Sequence, residues 1–196
     1  MHKKKNTVYF VTSNTGKANT AKRLLSKYSI KLKHIRIDLP EPRSFDLREI
    51  AHAKANFAYS KFHKPCIVQD SGFYVKSLNG FPRTFVHFSI DTIGINGILK
   101  LTEGKERSCS FKSCLTYCEG SKIKKDFITI TKGALSYEPK GMPKRYHWSA
   151  LFQIFVPEGS KKTLAEMSKK EYEEWYDTIN KGSEMLKFGK WYSKKM

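Results

Sequence analysis

What this sequence lacks narrows the reading first. None of its 196 residues falls in an apolar run long enough to span a bilayer, which excludes membrane-crossing helices. No internal repeat and no low-complexity linker occurs, which excludes a solenoid or a string of tethered modules. Cysteine is scarce: Cys66, Cys109, Cys114 and Cys118 are too few for a disulfide-built scaffold. The last three lie in "SCSFKSCLTYC", which reads as a strand, so Cys114 and Cys118 face one way and Cys109 the other. Three ligands would not converge there, so zinc is disfavoured and reduced, partly buried thiols are expected. The opening Met1-His2-Lys3-Lys4-Lys5 carries no apolar signal region ahead of the first strand, so the expected location is the cytoplasm. Acids are few as well, 18 Asp and Glu against 37 Lys and Arg, a net charge of +19. That balance admits nucleic acid as a partner without requiring it, because the lysines are dispersed and not blocked. A dispersed excess equally suits an enzyme that attracts polyanionic nucleotides. What is present is a foldable chain, 39% hydrophobic and 13% aromatic, enough for one domain over residues 1–196 with a real core.

The stretch "VTSNTGKANT", Val11 to Thr20, is the first that suggests chemistry. It follows the apolar run Val8-Tyr9-Phe10-Val11, which reads as a buried strand. It then turns through Ser13-Asn14-Thr15-Gly16 to Lys17, and Ala18, Ala21, Leu24, Leu25 and Tyr28 recur at helical spacing. A strand, a small-residue turn and a helix start aim backbone N–H groups and the positive end of the helix dipole at one point, which suits a phosphate. The turn lacks the first glycine and the Lys-Ser/Thr ending of a P-loop. The plainer reading is an ordinary strand-to-helix turn with a surface lysine.

Further on, "IKLKHIRIDLPEP" reads as a second strand running into a Pro-rich turn. Asp46 and Glu49 have the N-cap and N3 spacing of a capping box. The helix behind them carries the apolar row Leu47, Ile50, Ala51, Ala55, Ala58 and Phe62, and Lys54 falls inside it. A lysine on a packed face either snorkels or meets a buried anion. In "KPCIVQDSG", Cys66-Ile67-Val68 reads as a buried strand that delivers Gln69-Asp70-Ser71-Gly72 at its C-terminal end, where open α/β sheets gather ligands. Asp-Ser-Gly is also a common turn. "FPRTFVHFSIDTIGINGILKL" reads as a loop and a helix, "CSFKSCLTYC" and "DFITITKGALS" as adjacent antiparallel strands, and "FQIFVPEGS" as a strand with a turn. From Ser168 to Tyr192 the pattern is a helix interrupted near Gly182. This order predicts an α/β protein with a mixed sheet.

Taken in order, the Ser-Asn-x-Gly-Lys turn, "IDLPE", the helix with an inward lysine, "DSG" with "LNGFP", Pro-Lys-Gly and "FVPEGSKKTLAEMS" resemble the inosine triphosphate pyrophosphatase family, also called Ham1-like. The resemblance spans about residues 7 to 170. It implies an elongated, two-lobed α/β fold around a long mixed sheet with flanking helices, a nucleotide cleft between the lobes, and a homodimer. The implied reaction is Mg2+-dependent hydrolysis of nucleoside triphosphates such as ITP, dITP and XTP to monophosphate and pyrophosphate, which cleanses the nucleotide pool. By the same resemblance Thr12, Ser13, Asn14, Thr15, Gly16 and Lys17 form the triphosphate loop, Glu41 and Asp70 hold the metal, Lys54 binds phosphate, and Asp70 is catalytic with Ser71, Gly72 and Phe73 beside it. Many members carry an acid directly before that aspartate; this chain has Gln69.

The second half departs further from the family. The base pocket's aromatic-Gly-aromatic-Asp-Pro run corresponds either to Tyr146-His147-Trp148-Ser149 or to Ser149-Ala150-Leu151-Phe152, and either way its aspartate is gone. The Ser-His-Arg group near the C-terminus falls at Tyr176-Asp177-Thr178 or at Ile179-Asn180-Lys181, and the preceding base-site lysine at Tyr172. The phosphate half is thus kept and the base half rewritten, so hydrolysis with altered or relaxed base selectivity is expected. The competing expectation is a catalytically weak relative that binds nucleotides or RNA through its basic, aromatic tail with Trp175, Trp191 and Tyr192.

Overall fold

The protein is seen in a computed structural model, which describes residues 7–195 apart from 121 and 146, with only the backbone given for 124 and 180. Tyr146, a candidate base-site residue, therefore lies outside the described residues. The chain divides into two compact units, each discontinuous in sequence. The first runs to Asp70 and takes in Ser113–Thr129 and the chain from Asn180 onward; the second comprises Ser71–Lys112 and Ile130–Ile179. Strands and helices are mixed in sequence, as the pattern predicts. The sheet has the hydrogen-bonded order β2-β1-β3-β5-β6-β7, with β4 paired to β3. Its strands are β1 (Thr7–Val11), β2 (Lys31–Ile35), β3 (Cys66–Val75), β4 (Pro82–Arg83), β5 (Ser108–Glu119), β6 (Lys122–Leu135) and β7 (Phe155–Pro157). It is mixed: β1 runs parallel to β2 and β3, whereas β4 is antiparallel to β3 and β7 to β6.

In the first unit, helix α1 (Thr15–Ser26) buries Ala18, Ala21, Leu24 and Leu25, the row that the spacing predicts. These pack with Val8, Phe10, Ile67, Leu115 and Tyr117 of the strands. Helix α2 (Leu47–Phe62) buries Leu47, Ile50, Ala51, Ala55 and Ala58 in the same manner. Its start differs from the expected capping box. Asp46 does cap, accepting from the Arg48 N–H, but Glu49 turns to the Ser44 hydroxyl, and that hydroxyl accepts from the Asp46 N–H. Ser44 therefore does what Glu49 was expected to do. The segment expected as one interrupted helix is two, α4 (Lys169–Asn180) and α5 (Glu184–Lys194), with Ser183 capping the second.

The aromatic residues of that tail serve packing. Tyr192 is buried against Tyr117 at 5.4 Å between ring centroids, and Trp191 sits 5.7 Å from Phe127. A stacking platform for RNA needs free ring faces, and these rings complete the core of the first unit instead. The cysteines also fall into different packed clusters, Cys109, Cys114 and Cys118 each in its own.

The second unit is built around Phe73, Phe111, Phe152 and Phe155, with helix α3 (Val86–Leu101) contributing Ile98 and Leu99. The strand expected over "FQIFVPEGS" is shorter than its pattern, because Ala150–Gln153 forms a 3-10 turn whose start is capped by the Ser149 hydroxyl. This unit also holds an open groove of about 710 Å³, lined by Tyr74, Lys112, Lys132, Gly133, Pro157 and Glu158 among others, and none of the candidate phosphate residues lines it.

Candidate phosphate site

The first unit brings together candidates that the sequence spreads from Thr12 to Asp70. The loop after β1 is organised by side chains: the Asn14 N–H donates to Thr12 Oγ1, and the Lys17 N–H donates to Asn14 Oδ1 at 3.0 Å. Asn14 is thus the N-cap of α1, the role for which its short polar side chain is suited. Ser13, Thr15 and Gly16 are exposed, and Thr12 and Asn14 half-buried. The helix presents the positive end of its dipole here, and its first turn holds no acid to oppose an anion. Lys17 is half-buried. Burial drives its pKa down from the ordinary lysine value, and Lys54 adds to that, while Asp70, Glu184 and Glu41 pull it back up.

Lys54 settles the question its position raises. It is only 6% exposed, and its ammonium donates to Glu41 Oε1 and to Asp70 Oδ1, each at 2.6 Å. Lysine is rarely buried unless paired, and here two carboxylates pair it. Burial would lower its pKa, but the charge and hydrogen bonds of Asp70 and Glu41 outweigh this and raise it. The two carboxylates differ in setting: Glu41 has a side chain 68% exposed, Asp70 one only 14% exposed. Glu41 stands on the irregular segment between β2 and α2, and Asp70 on β3.

Asp70 does not end its strand, as the sequence suggests. β3 continues to Val75, and it is β1 that stops: β1 pairs with Cys66 and Ile67 and ends at Val11. Asp70 therefore extends past the carboxyl end of its parallel neighbour, which keeps the chemical logic of the prediction while moving its structural cause. One participant was missed. Gln69 donates to Glu184 Oε1 at 2.5 Å, and Glu184, at the start of α5, is 7% exposed. A buried acid 115 positions away leaves no local signal in the sequence.

The remaining candidates belong to the second unit. Gly72 is held by packing, since a Cβ there would come within 2.6 Å of the Arg83 carbonyl oxygen on β4. The Phe73 side chain is fully buried against Phe111 and Phe155; Ser71 is half-buried. Ser149 is engaged as the cap of the 3-10 turn. Of the aromatic candidates, Phe152 and Tyr172 are buried, and Trp148 is 41% exposed with its ring against Phe111 and Phe152.

The first unit thus sets a helix N-terminus and a half-buried lysine beside a buried lysine held by two carboxylates. The chain belongs to the Ham1 family, whose profile matches residues 8–177. It is 44% identical over 162 residues to the dITP/XTP pyrophosphatase of Saccharolobus solfataricus, covering 82% of each chain. To the dITP/XTP pyrophosphatase of Methanopyrus kandleri it is 36% identical over 186 residues, 94% of this chain and 95% of that one. Among solved structures, a HAM1 protein from Coxiella burnetii superposes with a TM-score of 0.74 at 22% identity, covering 96% of each chain, which establishes the shared fold.

Proposed function

We propose that this chain hydrolyses nucleoside triphosphates at the α–β phosphoanhydride, releasing the monophosphate and pyrophosphate. The observation that carries this reading is the Lys54 ammonium held at 2.6 Å by both Glu41 and Asp70, next to the capped turn that ends in Lys17. Lys17 and the α1 N-terminus take the phosphate chain, and Lys54 leaves its carboxylates to share in that task when the nucleotide enters. Asp70, partly shielded from water, accepts the proton of the water that attacks the α-phosphorus, while the pyrophosphate departs toward the lysines.

The donor set fits a magnesium ion. Glu41 and Asp70 supply hard carboxylate oxygens that already converge on one cation. They are the residues that would hold it, and bound there it would neutralise phosphate charge and polarise the phosphoryl oxygens.

Base choice is relaxed relative to the family pattern. In one alignment Ser149 stands where that pattern has aspartate and in the other Phe152 does; Ser149 is engaged as a cap and Phe152 is buried, so neither supplies a polar group that reads a base edge. The expected assembly is a homodimer and the expected location the cytoplasm; no described helix is long and apolar enough to cross a membrane. The test is kcat/KM for ITP, XTP, ATP, GTP, UTP and their deoxy forms at one magnesium concentration. An apolar slot discriminates by roughly 10–200-fold and a site of buried polar readers by about 10⁴-fold. A preference for ITP and XTP of several hundred-fold or more would overturn relaxed selectivity. A failure to turn over any of them would overturn the enzyme reading.

A further inference from the structure

Glu184 is a buried carboxylate that the reaction above does not use. It lies in the first turn of α5, where the helix dipole favours a negative group, and Ser183 caps the same turn. α5 packs on α1, the helix that carries Lys17. The approach is close: a Cβ on Gly189 would fall 2.5 Å from the Tyr28 ring. At the other side Glu184 accepts the amide hydrogen of Gln69, the residue directly before Asp70. The amide matters. A carboxylate at position 69 would set two desolvated acids at hydrogen-bond distance, an arrangement that disfavours both charges.

We propose that Glu184 is a positioning residue and fixed counter-charge of the phosphate site, fastening the strand end that carries Asp70 through Gln69 and limiting how tightly Lys17 and Lys54 hold their anion. Its charge is felt at Lys17, where it opposes the loss of the ammonium proton that burial promotes. With it, the site holds three acids, Glu41, Asp70 and Glu184, against two lysines, so the phosphate chain enters a site that is not net positive. The benefit is release: without Glu184 the two remaining acids only balance the two lysines, and pyrophosphate would be held longer.

This inference rests on the phosphate reading, and pyrophosphate binding followed by calorimetry in EDTA separates the two. The variants are Lys17→Ala, Glu184→Gln, Gln69→Glu and the double swap Gln69→Glu/Glu184→Gln, each with its melting temperature. Glu184→Gln keeps an oxygen that can accept from Gln69 and removes only the charge, so pyrophosphate is expected to bind about fivefold tighter, the scale of one charge felt across a partly buried gap. Gln69→Glu is expected to weaken binding by a similar factor and to lower the melting temperature. The swap is expected to return both to within about twofold of the parent, since it restores one acid and one amide. Unchanged affinity in Glu184→Gln, with Lys17→Ala weakened, would overturn the proposal and leave the phosphate reading standing. Unchanged affinity in Lys17→Ala would overturn the phosphate reading itself. If Glu184→Gln fails to fold, the swap decides: a folded swap that does not recover pyrophosphate affinity overturns the coupling.

Discussion

Replacing Lys54 by Met removes one charge and leaves two. In the structure the ammonium is 6% exposed and contacts Glu41 Oε1 and Asp70 Oδ1 at 2.6 Å each. The Glu41 side chain is 68% exposed, so on losing its partner it returns to water, and its share is that of a surface pair, about 0.2–1 kcal/mol. The Asp70 side chain is 14% exposed and cannot rehydrate as freely. Breaking a fully buried pair costs about 3–5 kcal/mol. Asp70 keeps some access to solvent and the field of Lys17, so about 1–2 kcal/mol is the fitting share. The methionine recovers part of this by filling the apolar row. The net loss is about 1–2 kcal/mol, which for a chain of this size lowers the melting temperature by roughly 2–8 °C. Two further variants sharpen the assay by differential scanning fluorimetry. Asp70→Asn on top of Lys54→Met is expected to recover most of the loss, because the orphaned charge is gone. Magnesium is expected to raise the melting temperature of Lys54→Met more than that of the parent, because the ion then no longer competes with the ammonium for the two carboxylates. A Lys54→Met protein as stable as the parent, and indifferent to both Asp70→Asn and magnesium, would refute the reasoning.

Asp70→Asn alone is expected to lower kcat by a factor on the order of 10²–10⁴ with the fold kept, checked by pyrophosphate release alongside circular dichroism. Lys17 has a pKa depressed by burial, so its charge is lost at a lower pH than that of an ordinary lysine. Triphosphate affinity should fall as pH rises through that lowered value, and Lys17→Arg, whose guanidinium keeps its proton, should flatten the alkaline limb. Burial pushes the Cys66 and Cys109 thiols up to about 12 and Cys114 to about 11. Iodoacetamide at neutral pH should therefore label the native protein slowly and the denatured protein fast, as followed by intact mass.

Much of the first unit was legible because its signals are local. The row Ala18, Ala21, Leu24, Leu25 marks α1 by spacing, and Asn14 caps it as its residue type suggests. Lys54 announced itself as a charge in an apolar row, but spacing could not say what it meets; Glu41 and Asp70 are 13 and 16 positions away. Without those partners, Lys54→Met looks like a harmless swap of similar volume, which the two carboxylates reverse. Glu184 was illegible for the same reason carried further: its partner is Gln69, and nothing in "KGSEML" distinguishes it from a surface acid in a first helical turn. The burial of Phe73 was not legible at "QDSG", whose residues are polar and turn-like, because β3 runs on to Val75 and carries the ring into the core. Trp191 and Tyr192 misled, since an aromatic and basic composition does not say which faces are already covered.

The most direct test of the account is the product balance of ITP hydrolysis with magnesium present, read by anion-exchange chromatography and by phosphate assays with and without added inorganic pyrophosphatase. IMP and pyrophosphate are expected in equal amounts, with free orthophosphate only after the pyrophosphatase is added, and with the rate from Asp70→Asn lowered by a factor on the order of 10²–10⁴. IDP with orthophosphate would contradict it, because the water would then have attacked the terminal phosphorus and the roles given to Lys17, Lys54 and Asp70 would be misplaced.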